Sequence, residues 1–168
     1  NGINVKNLEK YLNSILKICE IISNHKMKLV IKLHPTFDIL NISENIKEKF
    51  PSIQVIEKGD IDILIRKCSS LIVTGFSTVI VQGQILQKPI ISIPLIDYNW
   101  GKPSVYTENS CLLIELEELT LILKKIYNDS IFKKQLIENG NKFLKNCLKN
   151  KNNSSKMIWN YIKNMCND

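Results

Sequence analysis

Two short motifs in this chain have the residue types and spacing to hold a phosphate. The first is Leu71-Ile72-Val73-Thr74-Gly75-Phe76-Ser77-Thr78-Val79-Ile80-Val81-Gln82-Gly83, which runs from an apolar β-rich segment through a glycine and a hydroxyl pair into a helical pattern. The first N–H groups of a helix have no internal partner, the macrodipole puts partial positive charge there, and two hydroxyls add donors. An oxyanion fits that set. Ser and Thr also cap helices that bind nothing, so this stretch alone leaves both readings open. The second motif is His34-Pro35. A histidine can donate to a phosphate oxygen or a sugar hydroxyl, and the proline after it fixes the backbone direction.

The elements that must position these motifs are legible from periodicity. Leu8, Leu12, Ile15, Leu16, Cys19 and Ile22 recur at helical spacing, which predicts an amphipathic helix over 7–23 closed by Asn24-His25-Lys26. Met27 to Leu33 reads as a strand ending in His34-Pro35, since proline cannot continue a sheet ladder. A helix over 42–50 stops at Pro51, a strand follows over 53–56, and Asp60 is placed to cap a helix over 61–68. Then come a strand over 71–74, a helix over 78–86 closed by Lys88-Pro89, and a strand over 90–94. From Leu95 to Ser110 the pattern lapses into a polar and aromatic loop, after which 111–114 reads as a short strand and 115–127 as a helix. Further helices are expected over 131–148 and 154–165, the last with Met157, Ile158, Tyr161 and Ile162 on one face. The alternation predicts an α/β fold: a Rossmann-like parallel sheet with helices on both faces, plus C-terminal helices. In such a fold the carboxyl edge of the sheet is the ligand crevice, so His34 and Ser77-Thr78 would face one ligand.

With 168 residues and 44% hydrophobic content, the chain is sized for one compact domain. It opens on Asn1 without signal-peptide character, as expected of a segment of a longer polypeptide. No apolar run approaches the roughly 18 residues of a membrane span. The formal net charge of +7 comes from lysine, with Arg66 the single arginine. That balance favours diffuse attraction to anions, such as a nucleotide substrate or an anionic membrane surface, over the bidentate base reading of a nucleic-acid binder. Compositional bias of a source genome would yield the same lysine, asparagine and isoleucine content. Five dispersed cysteines, without C-x-x-C spacing, suit a reducing cytoplasm better than a disulfide framework or a metal site.

The ordered set Lys32-Leu33-His34-Pro35, Gly59-Asp60, Leu71 to Val79 and Gln87-Lys88-Pro89-Ile90-Ile91 resembles the C-terminal, nucleotide-binding half of GT-B glycosyltransferases of surface-polysaccharide synthesis. That group includes capsule sialyltransferases and polysialyltransferases, CDP-glycerol glycerophosphotransferases and, more distantly, UDP-N-acetylglucosamine 2-epimerases. The resemblance covers about Leu12 to Tyr127. It implies that His34, with Pro35, contacts a CMP-, CDP- or UDP-linked donor near sugar and phosphate, and that Ser77 and Thr78, entered through Gly75, hold the phosphates. Where such relatives carry a ribose-binding glutamate four residues after the threonine, this chain has Gln82; where several carry an acidic residue before the aromatic-serine pair, it has Gly75. An amide can still hydrogen-bond a diol, without the charge-assisted strength. The resemblance also implies a base site near Ile56 and Glu57, and Asp97, Trp100, Thr107 and Glu108 are loop candidates for sugar or acceptor contacts.

The expectation is therefore a single nucleotide-sugar-binding domain over 1–168, forming the C-terminal half of a cytoplasmic two-domain enzyme, peripheral at the inner membrane face. It needs no metal or cofactor beyond the activated donor. Donor groups at the helix end would stabilise the leaving phosphate electrostatically, and His34 would protonate it as the candidate catalytic acid. A catalytic base and the glycan or lipid-linked acceptor would come with the N-terminal domain. The alternatives are a UDP-sugar 2-epimerase half-domain and a non-catalytic basic module for phosphate-rich partners.

Overall fold

The computed structural model describes residues 5–34, 41–95, 103–148 and 153–165. Helix α1 (Val5–Asn24) buries Ile15, Ile18, Cys19 and Ile22, one stripe at three- and four-residue spacing. It stops in a Schellman arrangement: Lys26 is left-handed (φ 55°), and the N–H of Met27 returns to the Ile22 carbonyl at 3.3 Å. The chain reverses there into β1 (Val30–Lys32). After α2 (Ile42–Lys49), β2 (Gln54–Ile56) pairs with β1 in parallel, Ile31 opposite Val55.

Helix α3 (Ile61–Lys67) starts as its sequence demands, with the Asp60 carboxylate accepting from the Asp62 N–H at 2.8 Å. Strand β3 (Leu71–Val73), helix α4 (Val79–Ile85) and strand β4 (Ile90–Ser92) follow. Helix α4 ends as α1 does: Gln87 is left-handed (φ 57°) and the Lys88 N–H reaches the Gly83 carbonyl at 3.0 Å. A four-residue helix, α5 (Ser104–Thr107), occupies the stretch read from sequence as loop, before strand β5 (Leu112–Leu113). One turn is too short to leave a periodic signal. A 3-10 turn over Leu116–Glu118 leads into α6 (Leu119–Asn128), then α7 (Ser130–Cys147) and α8 (Ser154–Met165).

Strands β3, β4 and β5 form a parallel sheet in the order β3-β4-β5, Ile72 opposite Ile91 and Ile91 opposite Leu112. Among the described residues, this sheet and the β1-β2 pair are two separate ladders, each parallel. The period-two alternation along the strands distributes helices to both faces. Ile72, Ile91, Ile93, Leu112 and Ile114 pack into a core shared with α1, α2, α6, β1 and β2. Their alternates Val73, Ile90 and Cys111 pack on the other side with Ile80 of α4, Val105 of α5 and Phe143 of α7. This is the Rossmann-like α/β arrangement expected from the sequence, with additional C-terminal helices.

Candidate functional site

The carboxyl end of β1 is built around Lys32. Its ammonium donates to the Leu33 carbonyl at 2.7 Å and the Glu57 carbonyl at 3.0 Å, tying the ends of β1 and β2 together. The Leu33 N–H donates to the Ile56 carbonyl at 3.0 Å, so the ladder holds the chain up to His34, which is exposed. Pro35 lies outside the described residues. The Glu57 carboxylate accepts from the Ser43 hydroxyl at 3.1 Å and meets the Lys47 ammonium at 3.8 Å. At the expected base site, then, the carbonyls of Ile56 and Glu57 and the Glu57 side chain already have internal partners.

The carboxyl end of β3 is fixed by Thr74, whose hydroxyl lies 3.2 Å from that of Tyr11 on α1 and whose carbonyl accepts from the Leu95 N–H at 3.3 Å. The turn Gly75-Phe76-Ser77-Thr78 follows. Ser77 caps α4: its Oγ accepts from the Val79 N–H at 3.3 Å, and its carbonyl accepts from the Ile80 N–H at 3.1 Å. A hydroxyl that accepts in this way keeps its own proton to donate outward. Thr78 is exposed and makes no capping bond. Half-buried Gln82 follows one turn later on the same face of α4, with its N–H on the Thr78 carbonyl at 3.2 Å. With seven residues, α4 carries a short dipole, so hydroxyl and amide donors, more than the macrodipole, give this turn its anion chemistry.

Helix α1 relates the two strand ends. Because the chain reverses at Lys26, β1 runs back along α1, with Leu29, Ile31 and Leu33 packed in the same core. Tyr11 of α1 meets Thr74 through its hydroxyl just before the Ser77-Thr78 turn, and α1 shares its core with β1.

The sequence reading missed Tyr106, brought to this edge by α5. Its ring stands edge-on to the exposed Phe76, centroids 6.4 Å apart and planes at 76°, and its hydroxyl lies 2.9 Å from that of buried Ser92. Pro103-Ser104, a helix-start signal before a single turn, was the available clue. Of the other loop candidates, Thr107 is exposed and donates back to the Ser104 carbonyl at 3.3 Å, Glu108 terminates α5, and Asp97 and Trp100 lie outside the described residues.

An open depression of about 300 Å³, lined by Ser23, Lys26, Met27, Leu29 and Ile53 among others, sits at the amino-terminal edge of β1 and β2. That is the end opposite His34, and parallel sheets bind ligands at the carboxyl edge, so the depression is not a rival site. Cys19 and Cys111 are not placed for nucleophilic chemistry either: burial pushes the thiol of Cys19 up to about 11 and that of Cys111 up to about 12. The sequence matches no protein-family model and has no significant match among curated proteins.

Proposed function

We propose that this chain is the donor-nucleotide-binding half of a GT-B-type glycosyltransferase or polyol-phosphate transferase of cell-surface polysaccharide synthesis. The observation that supports the reading is the Tyr11–Thr74 contact, which ties the strand end before the hydroxyl-bearing turn to α1, the helix that shares a core with the strand leading to His34. In this reading Ser77 and Thr78 donate to the phosphate of the activated donor, and Gln82 hydrogen-bonds the ribose. Phe76 and Tyr106 wall the crevice, and His34 gives a proton to the leaving phosphate oxygen as the sugar–phosphate bond of a nucleotide sugar, or the phosphoanhydride bond of a CDP-linked polyol, breaks. The acceptor and the base that activates it belong to the N-terminal half.

Calorimetric titration of the chain with CMP, CDP and UDP tests this. One of the three is expected to bind saturably, and Thr78→Ala and His34→Ala are each expected to weaken it about tenfold, as loss of a hydrogen bond to a charged group does. Saturable binding that neither substitution changes would overturn the site. Binding of every polyanion tried, lost steeply with salt and blind to the nucleotide, would identify the basic-module alternative instead.

A further inference from the structure

Helix α8 is amphipathic in sequence, yet every one of its described side chains is exposed. Met157, Ile158 and Ile162 form a stripe at helical spacing and are 51%, 59% and 47% exposed, while Trp159 at the flank of the stripe is 65% exposed. A helix of twelve residues is marginal in water on its own and is held by whatever covers its apolar face. The chemistry around it selects that cover. Between Glu138 and Asp168 the sequence contains Lys142, Lys145, Lys149, Lys151, Lys156 and Lys163 and no acidic residue. Lys156 and Lys163 are exposed on α8 itself, on the side away from the stripe. A continuous apolar stripe, a flanking tryptophan and charge of a single sign complement an anionic lipid interface, where the rings sit at headgroup level and the lysine stems reach back to phosphates. At about 18 Å in length α8 is too short to cross a hydrocarbon core of about 30 Å, so it would lie in the plane of the surface.

We propose that α8 is an in-plane anchor that docks this chain reversibly on an anionic lipid surface through Met157, Ile158, Trp159 and Ile162. This inference stands apart from the nucleotide reading and neither result decides the other. The test is cosedimentation of the chain with phosphatidylcholine vesicles with and without phosphatidylglycerol, at low and high salt. Binding is expected only with phosphatidylglycerol, and it falls as salt rises. Ile158→Glu abolishes it, and Lys156→Gln with Lys163→Gln weakens it about twenty-five-fold, at roughly fivefold per lysine. The fluorescence difference between the chain and its Trp159→Phe variant shifts to the blue on binding. Because α8 lies outside both cores, these variants keep the parent's circular dichroism and melting temperature. Equal binding to neutral vesicles, no binding to either kind, or binding indifferent to Ile158→Glu overturns the proposal. A dimer in light scattering that Ile158→Glu makes monomeric, without vesicle binding, assigns the stripe to a second copy of the chain and overturns it too.

Discussion

Gln82 and Gln84 are two residues apart on α4 and lead opposite lives. Gln84 is 3% exposed: its Nε2 donates to the Ser110 carbonyl at 3.1 Å and the Ser110 hydroxyl at 2.9 Å, and that hydroxyl donates to the Val105 carbonyl at 2.7 Å. Gln82 is half-buried on the turn that opens toward the sheet's carboxyl edge. The difference separates structural polarity from available polarity. On the α7 side of α4, hydrogen bonds close the fold; on the edge side, Thr78 and Gln82 lie where a ligand can reach them. A buried polar group left unpaired is expensive, so the α7 side is where substitutions should unfold the protein, and the edge is where they should leave folding alone.

The largest effect is expected where α4 meets β3 and β4. A Cβ at Gly83 would lie 2.8 Å from Leu71 Cδ2 and 3.0 Å from Ile90 Cδ1. Alanine there asks two side-chain ends to shift and regains about 1 kcal/mol of helix propensity, so it is tolerated. Valine adds a branch with nowhere to go, and Gly83→Val should lower stability by about 1–3 kcal/mol in urea denaturation.

The glutamine pair gives the next contrast. Gln84→Ala removes both bonds to Ser110 and leaves a void facing Gly140, whose Cβ position lies 2.9 Å from Gln84 Cγ. A loss of about 2 kcal/mol is expected, tempered because Gln84 Oε1 is itself buried without a partner among the described residues. Gln82→Ala should stay within about 0.5 kcal/mol of the parent in the same denaturation experiment. Under the proposed function it should weaken nucleotide binding about fivefold in calorimetry, the worth of one neutral hydrogen bond. If Gln82→Ala destabilises as much as Gln84→Ala, the two sides of α4 do not differ as described.

The same contrast governs what the sequence could disclose. Local rules reach α1, α3, α4 and α8, because stripes, the Asp60 cap and the Ser77 cap are encoded within a few residues. They also reach the parallel strands, whose apolar runs alternate with helices. The expected strand over 27–33 narrows to Val30–Lys32, the residues that pair in register with β2, with Leu33 adding one N–H bond to Ile56. The hydroxyl pair and His34 are legible as chemistry, but the contact that ties the end of β3 to α1, Tyr11 with Thr74, spans 63 positions and leaves no local trace. Tyr106 is hidden for a related reason. It acts through Ser92 and Phe76, on different strands' ends, from a helix of one turn.

The smallest effect belongs to the thiols, which extend the contrast to the whole fold. Cys111 lies in the core between β5 and α7, and burial pushes its thiol from 9.0 to about 12; Cys19, buried on α1, is pushed to about 11, mainly by burial. Cys147, at the end of α7, is exposed. Iodoacetamide at pH 8 followed by peptide mapping should label Cys147 rapidly, and Cys19 and Cys111 only after unfolding. The linkage has a definite sign. A thiol whose pKa is raised by folding holds its proton more tightly in the native state, so its contribution is complete below the unfolded value of 9.0 and is lost as pH climbs through the folded one. The melting temperature should therefore fall more steeply above pH 9 in the parent than in Cys111→Ala, whose remaining decline belongs to Cys19 and the other alkaline groups. Parallel melting curves for the two proteins from pH 8 to pH 10 would mean that Cys111 reaches solvent and that the face between β5 and α7 is as open as the edge.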